Sequence, residues 1–206
     1  MLHRQTLPTS ALDLLIALCR HPALKSFALA GGTSLALRFG HRISVDLDFF
    51  SSDAFENDSL VAALKQDYDF DDLRRGPTGV SGYLNGVKVD FVKYLHPLIR
   101  PIETIQDIRL MSLPDVVAMK LSAVTNRGAK KDFYDVHTLI LELGLPVMLD
   151  LYTQKYPGTD PLMLLRSLSY FQDAESDTEP ESLIGVTWPE VKMVIASAVK
   201  EMLDCV

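Results

Sequence analysis

The sequence predicts an α+β fold, with strands and helices mixed in the first half of the chain and helices alone in the second. Three observations lead to this prediction. A continuous apolar run at 27–30 stops at two glycines, as a buried strand does before a turn. Asn85-Gly86 separates two apolar runs, which is a strong signal for a β-hairpin. From Leu113 onward, apolar residues recur at helical spacing.

The individual elements follow from apolar spacing, capping residues and turn residues. In the first half, Thr9 and Ser10 can cap a helix at 11–20. There follow a strand at 27–30, a helical turn, a strand that carries Asp46 and Asp48, a helix at 57–66, a strand at 68–73, and hairpin strands at 80–84 and 87–94. The second half is predicted to contain helices at 113–126, 130–142, 146–155 and 161–170, and a last helix that opens at 187–189 and runs to about 203.

Two polar segments are interpreted as connections. Residues 74–79 are typical of a turn, in which we expect Arg74 and Arg75 to be solvated. Residues 173–181 hold five acids and a proline without apolar periodicity, which predicts a mobile loop.

The acidic composition argues mildly against tight binding to nucleic acid. The net charge is −7 and the pI is about 5.2, whereas proteins that act on nucleic acid usually present a basic surface. Two local basic clusters weaken this objection, so net charge does not decide the substrate. The clusters are Arg38, His41 and Arg42, and then Arg127, Lys130 and Lys131.

The cysteines and the hydropathy bear on location. Cys19 and Cys205 lie at opposite ends of the chain and lack metal-ligand spacing, which predicts a reduced, cytoplasmic protein. No apolar stretch approaches the roughly 20 residues needed to span a bilayer. We therefore expect neither secretion nor membrane insertion.

The stretch 28–50 carries the strongest chemical signal. In Gly31-Gly32-Thr33-Ser34, the glycines let the backbone reach positive φ and approach a ligand closely. The two hydroxyls can cap the N–H groups of a following helix, or those N–H groups can hold a phosphate. Asp46 and Asp48 leave the same face of a strand, where paired carboxylates suit Mg²⁺. The alternative is a loop followed by a solvated edge strand, but apolar neighbours surround both aspartates.

This combination resembles the fingerprint of the DNA polymerase β-like nucleotidyltransferase superfamily. That fingerprint is a Gly-Gly or Gly-Ser turn, a short helix and Asp-x-Asp on the next strand. Asp90, an isolated acid on the second hairpin strand, has two interpretations. It is either an exposed polar residue or the third carboxylate that this superfamily commonly carries on a later strand, and we favour the third carboxylate.

A second motif lies in the helical half, at Lys120, Arg127, Lys131-Asp132 and Asp135. Most such charges form surface ion pairs worth a few tenths of a kcal/mol each. Here they flank a tight Arg-Gly corner, and the pattern is similar to the C-terminal motif of the AbiEii/AbiGii toxin family of nucleotidyltransferase-like proteins. The resemblance covers roughly residues 25 to 140.

The resemblance implies a fold and a set of site residues. It implies a minimal nucleotidyltransferase lobe over 1–110, with a mixed sheet and flanking helices, and a helical lobe over 111–206, with the active site in the cleft between them. Lys120 would neutralise phosphate charge, and either Asp132 or Asp135 would orient that lysine or the incoming hydroxyl. Mg²⁺ (or Mn²⁺) would be bound by Asp46, Asp48 and Asp90. The nucleotide would be bound by Gly31, Gly32, Thr33, Ser34, Arg38, Arg127 and Lys131.

The implied reaction moves a nucleotidyl group from a nucleoside triphosphate to an acceptor, which is RNA (including tRNA) or protein. Many family members are toxins of toxin–antitoxin or phage-defence pairs, so an antitoxin protein is an expected partner. The chain departs from the family in its short C-terminal lobe and its acidity. Two alternatives stay open, namely a nucleotide-binding regulatory or interaction protein without turnover, and a kinase-like phosphotransferase on the same fold.

Overall fold

The computed structural model describes residues 1–204, in which seven strands form one mixed sheet in the order β3-β4-β5-β2-β1-β7-β6. The strands are β1 (Ala28–Leu29), β2 (Leu47–Ser51), β3 (Phe70–Gly76), β4 (Gly79–Leu84), β5 (Val87–Lys93), β6 (Glu103–Ile105) and β7 (Ile108–Leu110). The α-helices of this part of the chain are α1 (Thr9–Arg20), α2 (Gly31–Phe39), α3 (Asn57–Asp67), α4 (Leu113–Asn126), α5 (Lys130–Leu143), α6 (Leu145–Lys155), α7 (Pro161–Leu168) and α8 (Trp188–Asp204).

The sheet combines both strand directions around β2. Strand β2 runs antiparallel to β1 and parallel to β5, while β1 runs parallel to β7. The predicted β4–β5 hairpin is confirmed, and Asn85 and Gly86 at its turn have φ of +50° and +78°. Positive φ at both positions is what a type I′ turn requires. The predicted α+β class with a mixed sheet and a helical C-terminal region is likewise confirmed.

Two apolar cores lie on opposite faces of the sheet. Leu29 and Phe49 belong to the core that α1 and α3 cover. Ala28 and Ala30, whose side chains alternate with that of Leu29, belong with Leu35 to the core formed by the C-terminal helices. The helical half therefore packs directly on β1 and α2, and this contact brings its charged residues to the glycine turn.

The structure differs from the sequence prediction at several elements. Helix α2 begins at Gly31 itself, and Arg74 and Arg75 lie in strand β3 rather than in a turn. Asp46 precedes β2, so only Asp48 of the pair lies within the strand. The hairpin of β6 and β7 was not predicted, because its two strands have three residues each.

The acidic segment 173–181 was predicted to be a mobile loop, but its side chains are anchored by hydrogen bonds. Asp177 accepts from the backbone N–H of Lys130 at 2.9 Å, and the Tyr134 hydroxyl donates to Glu179 at 2.5 Å. Glu175 accepts from the Trp188 indole N–H at 3.0 Å. Charged residues without apolar periodicity are thus ordered here by polar partners on α5 and α8.

Among the residues described, no individual helix combines the length and apolar character that crossing a bilayer requires.

Candidate active site

Asp48 and Asp90 are direct neighbours across the parallel strands β2 and β5. Cross-strand partners in register project from the same face of a sheet, so both carboxylates enter the same space. Burial raises the pKa of Asp48, and the negative charges of Asp90 and Asp46 raise it further. Asp46 and Asp90, the other two aspartates predicted to bind the metal, therefore lie close enough to repel the Asp48 carboxylate.

Gly31 lies against the Asp48 carboxylate. It opens α2 with φ of +64°, and a Cβ atom at this position would collide with the Asp48 carboxylate. The backbone N–H of Ala30 donates to the carbonyl of Asp48 at 2.8 Å, which fixes the glycine turn against β2. In the described chain no side chain caps α2, so the N–H groups of its first turn remain available to an anion.

Lys120 is buried beneath this turn in a cluster of five charged side chains. Its Nζ lies 2.8 Å from Oδ1 of Asp132 and 2.8 Å from Oδ2 of Asp135. Arg127 binds Asp132 through Nε at 2.9 Å and Nη2 at 3.1 Å, while Arg42 binds Asp135 through Nε at 2.7 Å and Nη2 at 2.9 Å. Three cations surround two carboxylates, so these five groups carry one net positive charge.

Asp132 and Asp135 both form ion pairs with Lys120. Both carboxylates are fully buried, and Oδ1 of Asp135 is also 2.7 Å from Nε2 of His41. With every oxygen engaged by a cation or by His41, neither carboxylate faces the space where a substrate hydroxyl would enter. Of the two roles considered from the sequence, orientation of the lysine is the one that this geometry favours.

The protonation states of the cluster follow from these contacts. Burial lowers the pKa of Lys120, but the carboxylates of Asp135 and Asp132 outweigh it and raise the pKa above its ordinary value. Burial raises the pKa of Asp135, but the charges of Arg42 and Lys120 hold it well below its usual range. The cluster is therefore ionised at neutral pH.

The aspartates have the donor chemistry that a hard divalent cation requires, since each offers carboxylate oxygen. A cation would also relieve the repulsion that raises the pKa of Asp48. The structure pairs the flanking acids with lysines instead, with Lys131 Nζ at 3.1 Å from Asp46 Oδ2 and Lys88 Nζ at 3.7 Å from Asp90 Oδ2. Over residues 1–204, no three His, Cys, Asp or Glu side chains converge closely enough to hold an ion.

Two cavities adjoin Asp48, and Arg127 lines both. One cavity, of about 280 Å³, is lined by Gly31, Lys120 and the apolar wall of Phe50, Val116, Met119 and Ala123. The other, of about 260 Å³, is lined by Asp90 and by polar residues of β3, β4 and the turn between them, namely Arg74, Thr78 and Ser81. Asp48 thus lies between the first cavity, with its apolar wall, and the second, which we call the polar cavity because these polar side chains stand there beside Phe50, Val80, Phe91 and Val92.

Three side chains that were predicted to bind the nucleotide are instead hydrogen-bonded to other protein groups or buried. Arg38 donates to Glu103 and to the carbonyl of Met111, each at 2.9 Å, and so ties α2 to β6 and the end of β7. The Thr33 hydroxyl contacts Ser44 and the carbonyl of Asp46, while Ser34 is fully buried. Residues 33 and 34 could therefore reach a phosphate only through the backbone.

Three residues of this region, His41, Arg42 and Arg74, carry no sequence pattern that assigns them a role. His41 and Arg42 were recognised only as local basic residues, and Arg74 was predicted to be solvated. A signal for Arg42 is its position between the glycine turn and Asp46. A Cβ atom at Gly32 would collide with the Arg42 guanidinium, so the second glycine makes room for this arginine.

Comparison with known proteins identifies relatives of this chain. A family model described as "Nucleotidyl transferase AbiEii toxin, Type IV TA system" matches residues 13–79 and 73–186. An uncharacterized protein of Aquifex aeolicus (strain VF5) is 33% identical over 184 residues, which is 86% of this chain and 88% of the relative.

Two solved structures share the fold. JHP933 from Helicobacter pylori has a TM-score of 0.59 at 19% identity, and the match covers 97% of this chain and 94% of that one. MenT4, a nucleotidyltransferase toxin from Mycobacterium tuberculosis H37Rv, has a TM-score of 0.59 at 18% identity, with 94% and 86% covered. At such identities the likeness establishes the fold alone.

Proposed function

Because this chain belongs to the AbiEii nucleotidyl transferase toxin family and is a nucleotidyltransferase, we propose that it transfers a nucleotidyl group from a nucleoside triphosphate to a hydroxyl of RNA. In this proposal the reaction depends on Mg²⁺ or Mn²⁺ and releases pyrophosphate. The protein acts as the toxin of a toxin–antitoxin pair, with a protein antitoxin as its partner.

One observation carries the proposal. Asp48 lies beside Asp90 and against Gly31, and it lines a cavity together with the buried cation Lys120. This arrangement places a pair of carboxylates, a helix N-terminus and a cation around a single space. A triphosphate and a divalent cation need these three kinds of group together.

The donor nucleotide enters the cavity with the apolar wall. The N–H groups that open α2 at Gly31 receive its phosphates, and the net positive charge of the Lys120 cluster offsets the charge that develops in the transition state. Asp132 and Asp135 keep Lys120 in place without contacting the substrate. Phe50 and its apolar neighbours exclude water from this side.

The acceptor hydroxyl enters from the cavity that Asp90 lines. Asp46, Asp48 and Asp90 would hold the divalent cation, which supplies charge neutralisation at the phosphate and at the attacking oxygen. Because Lys131 Nζ pairs with Asp46 Oδ2, this lysine would leave Asp46 if that oxygen held the cation. Once released from Asp46, Lys131 is available to pair with the phosphates.

Labelled nucleotides test the reaction directly. Purified protein is incubated with Mg²⁺, total RNA and each of the four nucleoside triphosphates labelled at the α-phosphate. Label in a discrete RNA band, lost in Asp48→Asn and kept in the control Asp71→Asn on the exposed side of β3, supports the proposal.

The other outcomes contradict it in distinguishable ways. Label on the protein itself indicates a protein acceptor. Transfer of label from the γ-phosphate instead indicates a kinase-like phosphotransferase. Absence of transfer from either position leaves a nucleotide-binding protein without turnover.

A further inference from the structure

We infer that Arg74 and Ser81 form an anion site beside Asp90, which binds a phosphate group of the acceptor next to the reacting hydroxyl. The inference rests on the proposed function, because it assigns the polar cavity to the acceptor. It adds to that proposal a role for Arg74 and Ser81, and it requires the acceptor to carry a phosphate group.

The sheet register aligns four side chains in one row. Arg74 on β3 is opposite Ser81 on β4, Ser81 is opposite Asp90 on β5, and Asp90 is opposite Asp48 on β2. Residues paired in this way project from the same face of the sheet. The row thus runs from the acidic pair, through a hydroxyl, to a guanidinium group.

A β-bulge puts Arg74 at the end of this row. The register of β3 and β4 shifts between Asp72, opposite Gly82, and Arg74, opposite Ser81, so that Leu73 is the additional residue. In an unbroken ladder, Leu73 would be the residue opposite Ser81. Bulges beside active sites commonly redirect a side chain, and here the result is a cation in the cavity of Asp90.

The guanidinium of Arg74 is free to accept a ligand, in contrast to its neighbour in sequence. Arg75 contacts Asp58 at 2.5 Å and Asp72 at 2.6 Å. Throughout the described part of the chain, no ion pair or hydrogen bond engages the exposed Arg74 side chain. An arginine without an internal partner, in a cavity with a serine hydroxyl, suits a phosphate group.

The charges around this cavity favour the acceptor over the donor. Lys120 and the N-terminus of α2 line the other cavity, which is equipped for a triphosphate. Arg127 reaches both cavities, but its Nε and Nη2 are engaged by Asp132. Lys88, 3.7 Å from Asp90, is absent from the lining of the polar cavity. Arg74 is therefore the cation available to an anion bound beside Asp90.

The test compares Arg74→Ala with Arg75→Ala in two assays. In steady-state transfer to total RNA, we expect Arg74→Ala to raise the KM for RNA by about tenfold or more, with the KM for the nucleotide changed by less than about twofold. In the second assay, fluorescence anisotropy follows a labelled single-stranded RNA in the inactive Asp48→Asn background. There Arg74→Ala should weaken binding to a similar degree and reduce the salt dependence by about one phosphate contact.

The outcomes separate this inference from the proposed function. Equal RNA binding by Arg74→Ala and Arg75→Ala, or a raised KM for the nucleotide alone, overturns the anion site. If the wild type labels no RNA, the proposed reaction fails, and the anisotropy assay still decides the inference. Failure of the labelled RNA to bind in the Asp48→Asn background also overturns it. Thermal unfolding of each variant checks that both are folded.

Discussion

Arg42 and Asp135 form a buried, bidentate ion pair, with Nε–Oδ1 and Nη2–Oδ2 distances of 2.7 and 2.9 Å. The arginine belongs to the segment between α2 and β2, whereas the aspartate lies on α5. Because Oδ2 of Asp135 also contacts Lys120 Nζ at 2.8 Å, this pair connects the segment between α2 and β2 to the buried lysine through one carboxylate.

Loss of this carboxylate should destabilise the protein strongly. Asp135→Asn leaves Arg42 and Lys120 with a neutral partner in a buried site, and breaking such a pair typically costs about 3–5 kcal/mol. The free energy of unfolding in urea measures the effect. Asp150→Asn, exposed on α6, is the control and should change it by less than about 0.5 kcal/mol. A similar small change for Asp135→Asn would contradict the assigned role of this ion pair.

Acid should destabilise the wild type through the same cluster. The pKa values of Asp132 and Asp135 are lowered in the folded protein, so their stabilisation is complete above the unfolded pKa of about 4. It is lost progressively as the pH falls below that value toward the folded pKa values. Urea unfolding measured over a pH series should show this loss, and Asp135→Asn should show a smaller one. A slope equal in both proteins would contradict the prediction.

Gly31 should be needed for a reason beyond its backbone conformation. Gly31→Ala meets the strain of a φ of +64° and displaces the Asp48 carboxylate, whereas Gly185→Ala meets a similar φ of +72° in open space. Gly185→Ala should cost about 1–2 kcal/mol of stability and Gly31→Ala at least as much, but only Gly31→Ala should reduce transfer, by about 100-fold or more. Equal activity of the two variants would show that the close approach to Asp48 is unimportant.

Local signals were sufficient for most of the fold. Asn85 and Gly86 predict the β4–β5 hairpin because they adopt positive φ readily, and apolar stripes with a cap such as Asp160 locate the C-terminal helices. The motif residues Gly31 and Asp48 were predicted as parts of one site, and the structure places them in contact. For these two residues, residue type and spacing along the chain were enough to predict that they lie close together.

What the sequence missed depends on distant partners. Arg38 and Arg42 are equally basic neighbours of Gly40, and only the tertiary fold directs Arg38 to Glu103 and Arg42 to Asp135. The bulge that puts Arg74 opposite Ser81 arises from strand pairing, which produces no periodic pattern in the sequence of a single strand. Segment 173–181 likewise gains its order from partners on helices α5 and α8.

The ionised form of Asp48 should oppose folding. Burial, together with Asp90 and Asp46, raises its pKa, so its charged form is less favourable in the folded than in the unfolded protein above about pH 4. Asp48→Asn should therefore have a higher Tm than the wild type at neutral pH. Differential scanning calorimetry should show the difference shrinking as the pH falls toward 4. A lower Tm at neutral pH would contradict this electrostatic account.

Binding of Mg²⁺ should be limited by competition with Lys131. The Lys131 ammonium lies 3.1 Å from Asp46 Oδ2, so a metal bound to that oxygen would displace the lysine. Lys131→Ala should therefore bind Mg²⁺ about threefold or more tightly than the wild type. The rise of Tm with Mg²⁺ concentration measures this affinity, because a ligand that binds only the folded state stabilises it. Lys200→Ala, exposed on α8, should match the wild type, and Asp48→Asn should lose most of the rise. Unchanged or weaker binding in Lys131→Ala would mean that the lysine does not compete with the metal, and a full response in Asp48→Asn would place the metal elsewhere.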